Sequence, residues 1–172
     1  MSPQPPASSL KPLTILSGGQ TGVDRAALDA ALAAGVPCGG WCPRGRLAED
    51  GVIPDHYPLV ERPEDGYAER TKANVRDSDA TLVLARGAPE GGTRLAIEYA
   101  KALNRPLQIV DLTRASGADE VTRIRAWIDE LGIRRLNVAG PRASEAPEVY
   151  ELARALLGAL LQTARKASRR RL

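Results

Sequence analysis

Short apolar runs alternate with helix-length segments along this chain, and that alternation leaves few folds open to it. Residues 13–16, 36–41, 80–85, 107–112 and 136–139 have the length and composition of strands buried in a sheet. Between and after them lie helical segments, one starting at Thr21 or Asp24 and reaching Ala34, the others at 67–77, 93–104, 119–131 and 146–161. Gly35 and Gly132 stand where helices stop, and Ser144 is placed to cap the last one. In the third helix Leu95, Ala96, Tyr99, Ala100 and Leu103 share one face, and the first is built largely of alanine, which lets it lie close to a sheet. Strand–helix alternation of this kind predicts an α/β fold: a Rossmann-like, doubly wound, mostly parallel sheet with helices on both faces.

The chain of 172 residues is expected to hold one such domain over residues 13–162, with a proline-rich arm at 1–12 and a basic tail at 163–172. Residues 42–65 carry Pro43, Gly45, Gly51, Pro54, Pro58 and Pro63, and a connection of that length inside a compact domain is usually functional. If they add no strand, the expected sheet order is 2-1-3-4-5; if 52–60 forms an edge strand, it is 3-2-1-4-5. Either way segments 13–16 and 80–85 flank the crevice where ligands bind in doubly wound sheets.

Two glycine-rich loops sit where strands hand over to helices. The first is Ser17-Gly18-Gly19-Gln20-Thr21-Gly22-Val23-Asp24, after residues 13–16; the second is Gly87-Ala88-Pro89-Glu90-Gly91-Gly92-Thr93, after 80–85. Glycine lets a ligand lie against the backbone, and a helix start offers unpaired N–H groups and partial positive charge. Together they predict an anion site for a phosphorylated small molecule. Gly18, Gly19, Gly22, Gly91 and Gly92 would give backbone approach, while Gln20, Thr21 and Thr93 would donate hydrogen bonds. The first loop is neither a Walker A sequence nor a Gly-x-Gly-x-x-Gly dinucleotide fingerprint, so ATPase chemistry lacks its parts. Arg44 and Arg46, on the long connection, are candidate clamps, because guanidinium forks grip phosphate bidentately. Arg70 and Asn74 share a helix face, and Asp24 and Glu98 are the carboxylates nearest the two loops.

Composition closes off other classes. Lys and Arg number 24 against 21 Asp and Glu, but five of the basic residues fall in the last eight positions, so the body is slightly acidic. With few aromatics to stack bases, the tail reads as solvated rather than nucleic-acid binding. No run approaches the ~20 apolar residues a membrane span needs, and the amino terminus lacks a signal-peptide pattern, so the expectation is a cytoplasmic protein. Cys38, Cys42 and the lone His56 fall short of a structural zinc site, and the cysteines read as free thiols. No Ser-His-Asp or Cys-His set is present.

Gly18-Gly19-Gln20-Thr21-Gly22-Val23-Asp24-Arg25, Gly40-Trp41-Cys42-Pro43-Arg44-Gly45-Arg46, Glu49-Asp50-Gly51 and Ile53-Pro54 resemble segments of the putative molybdenum carrier family. Tyr67, Arg70-Thr71, Asn74-Val75, 77–81, Gly91-Gly92-Thr93 and 137–142 continue the resemblance across roughly residues 13 to 160. It implies a Rossmann-like fold related to lysine-decarboxylase-like proteins and phosphoribohydrolases, a homo-oligomer (dimer or tetramer), and binding of molybdenum cofactor, a pterin bearing a phosphate. The phosphoribohydrolase pattern Pro-Gly-Gly-x-Gly-Thr-x-x-Glu is broken here: Pro89-Glu90-Gly91-Gly92-Thr93 lacks a glycine step and Glu98 is displaced. The leading expectation is therefore a non-catalytic carrier of a phosphate-bearing ligand. The alternatives are a phosphoribohydrolase-like enzyme cleaving an N-glycosidic bond through Glu98 or Asp24 and a nearby arginine, and a nucleotide-signal sensor.

Overall fold

The computed structural model describes residues 13–63, 66–114 and 117–169; the expected amino-terminal arm and the side chains of the expected basic tail lie outside it. Strand β1 (Thr14–Leu16) feeds helix α1 (Val23–Ala34), which stops at Gly35 in the left-handed conformation, φ 65°. Residues 36–41, the second expected strand with Gly39 and Gly40 interrupting it, divide at Gly40 (φ 132°) into β2 (Cys38–Gly39) and β3 (Trp41–Cys42). The long connection holds β4 (Leu47–Ala48), β5 (Gly51–Val52) and β6 (Val60–Glu61). Then follow α2 (Tyr67–Arg76), β7 (Ala80–Ala85), α3 (Gly91–Ala102), β8 (Leu107–Asp111), α4 (Gly117–Leu131), β9 (Arg135–Ala139) and α5 (Val149–Arg169). Among the described residues no helix is long and apolar enough to cross a membrane.

The main sheet is parallel and doubly wound as expected, but its order is neither of the two anticipated. It runs β2-β1-β9-β7-β8, with the last strand in the middle. Leu136 pairs with both Ile15 and Ala80, and Asn137 with both Leu16 and Thr81. The expected strand over 52–60 does not form: Gly51 and Val52 close a hairpin with β4, while β6 pairs in parallel with β3.

Packing between helices accounts for the central place of β9. Ala26, Ala27, Ala30 and Ala31 of α1 are at most 1 % exposed and join Ala153, Leu156, Leu157, Leu160 and Leu161 of α5 in one core cluster. The alanine face lets α5 lie close to α1, and the strand leading into α5 is thereby seated beside β1. Leu82 and Leu84 of β7 face this layer; Val83 and Ala85 alternate to the other side, against Ile97 of α3. Counted from β9, the order becomes 3-2-1-4-5, the doubly wound arrangement whose crevice opens between its first and fourth strands. Here those are β9 and β7, so the crevice lies one strand over from the expected β1–β7 pairing.

One polar bracket ties this layer together. Asp29 of α1 accepts hydrogen bonds from the Tyr57 hydroxyl at 2.7 Å and the Tyr150 hydroxyl at 2.6 Å. Burial and the Asp29 carboxylate push both phenols above their ordinary range, Tyr150 to about 12. Phenols that ionise less readily in the folded chain contribute stability that is fully present below pH 10 and lost as pH rises beyond it. Asp29→Ala is expected to cost about 1.5–3 kcal/mol and to flatten the alkaline limb of a Tm-against-pH curve; an unchanged Tm would show the bracket to be idle.

Candidate functional site

The strands end in loops on one side of the sheet, and three of these loops meet at the crevice. Between them is a cavity of about 260 Å³. Gly18, Gln20 and Asp24 come from the β1 loop and the start of α1; Gly91, Gly92 and Thr93 open α3; Asn137 to Gly140, Arg142 and Glu145 come from β9 and its loop. Helix α2 closes the remaining wall with Tyr67, Arg70, Thr71 and Asn74. The Ser17 hydroxyl donates to the Val138 carbonyl at 2.9 Å, so the ends of β1 and β9 are held together beneath the cavity.

The backbone here is built for close approach. A Cβ on Gly18 would run into the Arg70 guanidinium, which lies across that glycine. At Gly22 (φ 80°) a side chain would strike the Pro141 carbonyl, and at Gly140 it would strike the Leu84 carbonyl and Val23. Glycines thus let three loop backbones pack within reach of one another. Helix α3 begins with Gly91 after Glu90, and no side chain caps it; its start lines the cavity.

Arg70 and Asp24 form a pair 3.2 Å apart, with side chains only 11 % and 9 % exposed. Burial lifts the Asp24 carboxyl above the usual carboxylate range, and the Arg70 charge and the Gln20 N–H only partly counter it. Arg70 Nε is buried without a hydrogen-bond partner among the described residues. A buried guanidinium N–H left unpaired is a group that an acceptor on a ligand would satisfy.

A second network locks the rim. Glu49, from the β4–β5 turn, accepts bonds from the hydroxyls of Thr21 and Ser144 and from the Ser144 N–H at 3.1 Å. Burial tends to raise the Glu49 pKa, but these bonds outweigh it and hold the carboxyl below its ordinary value. The Gln20 side-chain carbonyl accepts from the Thr21 and Glu49 N–H groups, and the Ala143 N–H donates to Thr21 Oγ1 at 3.1 Å. Ser144, expected as a helix cap, serves instead in this network, and α5 starts at Val149. Arg142 Nε donates to Glu145 Oε1 at 3.1 Å and lies 3.8 Å from Glu49 Oε2.

The expected site residues are therefore distributed unevenly. Gly18, Gln20, Asp24, Arg70, Asn74, Gly91, Gly92 and Thr93 line one cavity. Gly19 (φ 79°) turns its open face to Leu59 and Ile53 instead. The Thr21 hydroxyl is engaged by Glu49 and Ala143, and the Asn74 amide is engaged by both backbone groups of Trp41, at 2.8 and 3.0 Å. Arg44 is exposed and not among the lining residues. Arg46 donates to the carbonyls of Ile53, Pro54, Tyr57 and Leu59 at 2.8–3.2 Å, so its fork holds the long loop together rather than facing the cavity. Glu98 stands on the exposed side of α3, 3.4 Å from Arg94. Glu49, Arg142 and Glu145, none of them among the expected site residues, complete the rim; the Gly140-Pro141-Arg142 run after a strand was the available signal.

Comparison with known proteins gives a consistent picture. Residues 15–161 match the model of the circularly permutated YpsA SLOG family. That description agrees with a sheet whose order becomes regular when counted from its last strand. The fold also matches the crystal structure of a protein named putative molybdenum carrier protein from Syntrophus aciditrophicus SB. The two share 46 % identity at a TM-score of 0.84, over 88 % of this chain and 97 % of that one. No curated protein matches.

Proposed function

We propose, from the premise that this chain belongs to the circularly permutated YpsA SLOG family, that it is a carrier or binding protein for a small molecule bearing a phosphate or similar oxyanion. Molybdenum cofactor is the named candidate, since the 46 %-identical structure is called a molybdenum carrier. The observation that carries the reading is the cavity at the β9–β7 switch point, which the uncapped start of α3 and the Arg70 side chain both line. Gly91 and Gly92 would let the ligand lie on the backbone, while Thr93 and Arg70, whose guanidinium lies across Gly18, would supply donors. Among the described residues no group of three or more His, Cys, Asp or Glu side chains could hold a metal ion. The proposal therefore has the protein grip the anionic and ring parts of the cargo. The protein would act in the cytoplasm and, as the family resemblance implies, as a homo-oligomer.

Native mass spectrometry with molybdenum analysis, on protein purified from its own host, tests the reading. Wild type should carry a phosphate-containing ligand, Thr93→Val should carry less, and Arg44→Ala should carry as much as wild type. Protein isolated empty, and inert toward molybdenum cofactor and nucleoside monophosphates alike in calorimetry, would overturn it. The buried Asp24 carboxyl at the cavity, lifted by burial above the usual carboxylate range, favours a second reading, N-glycosidic cleavage with Asp24 as acid. Free base released from nucleoside monophosphates over many turnovers, and abolished in Asp24→Asn, would establish that reading instead.

A further inference from the structure

We infer that Glu145 is a built-in occupant of the anion corner of this cavity, and that it sets ligand affinity by holding Arg142 away from the ligand. The inference rests on the binding reading above and deepens it. Each arginine on the cavity wall has a carboxylate partner inside the protein: Arg70 has Asp24, and Arg142 has Glu145. Asp24 is buried and fixed at the start of α1, but Glu145 is not: its side chain is 33 % exposed, and that of Arg142 46 %. Glu145 also stands where a ligand's anion would be drawn. Its Oε1 lies 3.4 Å from the position a Cβ on Gly91 would take, beside the first residue of α3, whose start has no side-chain cap. The same oxygen accepts the Arg142 Nε bond at 3.1 Å, and Oε2 faces the Arg142 N–H at 3.4 Å.

One carboxylate thus accepts from the Arg142 guanidinium while lying beside the helix start, and it does so from within the chain. A phosphate entering there has the same charge sign and the same acceptors. It must displace Glu145 from this corner, and its apparent affinity is reduced by the fraction of molecules in which Glu145 is in place. Removing that charge while keeping the shape ends the competition for the corner and leaves Arg142 free to turn onto the ligand.

The test titrates inorganic phosphate into the full chain by calorimetry for wild type, Glu145→Gln, Arg142→Gln and the double variant, with a thermal melt of each without phosphate. The expected result is that Glu145→Gln binds phosphate about tenfold tighter than wild type, a coupling of ordinary size. Arg142→Gln added to Glu145→Gln should remove that gain, and the melts should differ little, because both side chains are partly exposed. Wild type binding phosphate while Glu145→Gln binds it equally or more weakly would overturn the role of Glu145 and leave the binding reading standing. A tightening that persists in the double variant would overturn the part given to Arg142. No phosphate binding by any of the four would overturn both this inference and the oxyanion reading on which it rests.

Discussion

Arg70→Ala is expected to lower stability at neutral pH by about 3–5 kcal/mol, the usual consequence of stranding a buried charge. The stranded group is Asp24, 9 % exposed and pushed above the ordinary carboxylate range by burial even with Arg70 beside it. Without the guanidinium, the Gln20 N–H at 3.2 Å is the main remaining counterweight. The sign with pH follows. A carboxyl whose folded pKa is raised binds more protons folded than unfolded, so stability falls as pH climbs from the ordinary value of 3.8 through the folded one. Losing Arg70 raises the folded pKa further, so the deficit of the variant shrinks on acidification. Adding Asp24→Asn to Arg70→Ala should restore most of the loss, because the neutral amide has no charge to desolvate. Urea unfolding at neutral and mildly acidic pH checks this. If the single and double variants unfold at the same urea concentration, the pair is not what ties α1 to α2.

Gly22→Ala should be one of the most damaging glycine-to-alanine changes among the described residues. Its backbone, φ 80° and ψ −128°, is one that glycine alone adopts readily, at about 1–3 kcal/mol for other residues. The added Cβ would also meet the Pro141 carbonyl and the backbone of Arg142 and Ala143, for a further cost of about 1–3 kcal/mol in overpacking. Relief requires the β1 and β9 loops to separate, which pulls apart two walls of the cavity, so ligand binding should fall with stability. Gly35→Ala is the control: its φ of 65° is also left-handed, but nothing lies within 4 Å, and the expected cost is about 1–2 kcal/mol with binding intact. Equal losses in the two variants would mean that close approach at Gly22 contributes nothing beyond local strain.

Much of this architecture was open to reading from residues alone, for reasons that particular segments make plain. Ala80–Ala85 is apolar at every position because β7 is covered on both faces, and all six residues are buried. The glycines at 18, 22, 91 and 92 marked the backbone turns that line or frame the cavity; at Gly22 (φ 80°) few other residues fit, whereas a side chain at Gly92 would meet nothing within 4 Å. Arg70 and Asn74, spaced four apart, were expected only to share a helix face; the structure puts both on the cavity wall. Their jobs differ, though: Asn74 pairs with the backbone of Trp41, a contact with no trace in spacing. Arg46 was misjudged for a similar reason. A guanidinium fork suits a ring of backbone carbonyls as well as a phosphate, and only the folded loop shows four carbonyls within its reach.

Local periodicity and turn chemistry act within a dozen residues, so the chain by itself determined its elements, its parallel sheet and the glycine corners that a ligand could approach. Strand order is a different kind of quantity. It depends on which helices pack together across more than a hundred residues, and the alanine face of α1 receiving α5 put the last strand at the centre. That one placement brought Arg142 and Glu145 to the cavity and joined Glu49 to Ser144 across 95 positions. Contacts made at such distance are decided by tertiary packing, because no local pattern in the intervening chain encodes which surfaces will meet.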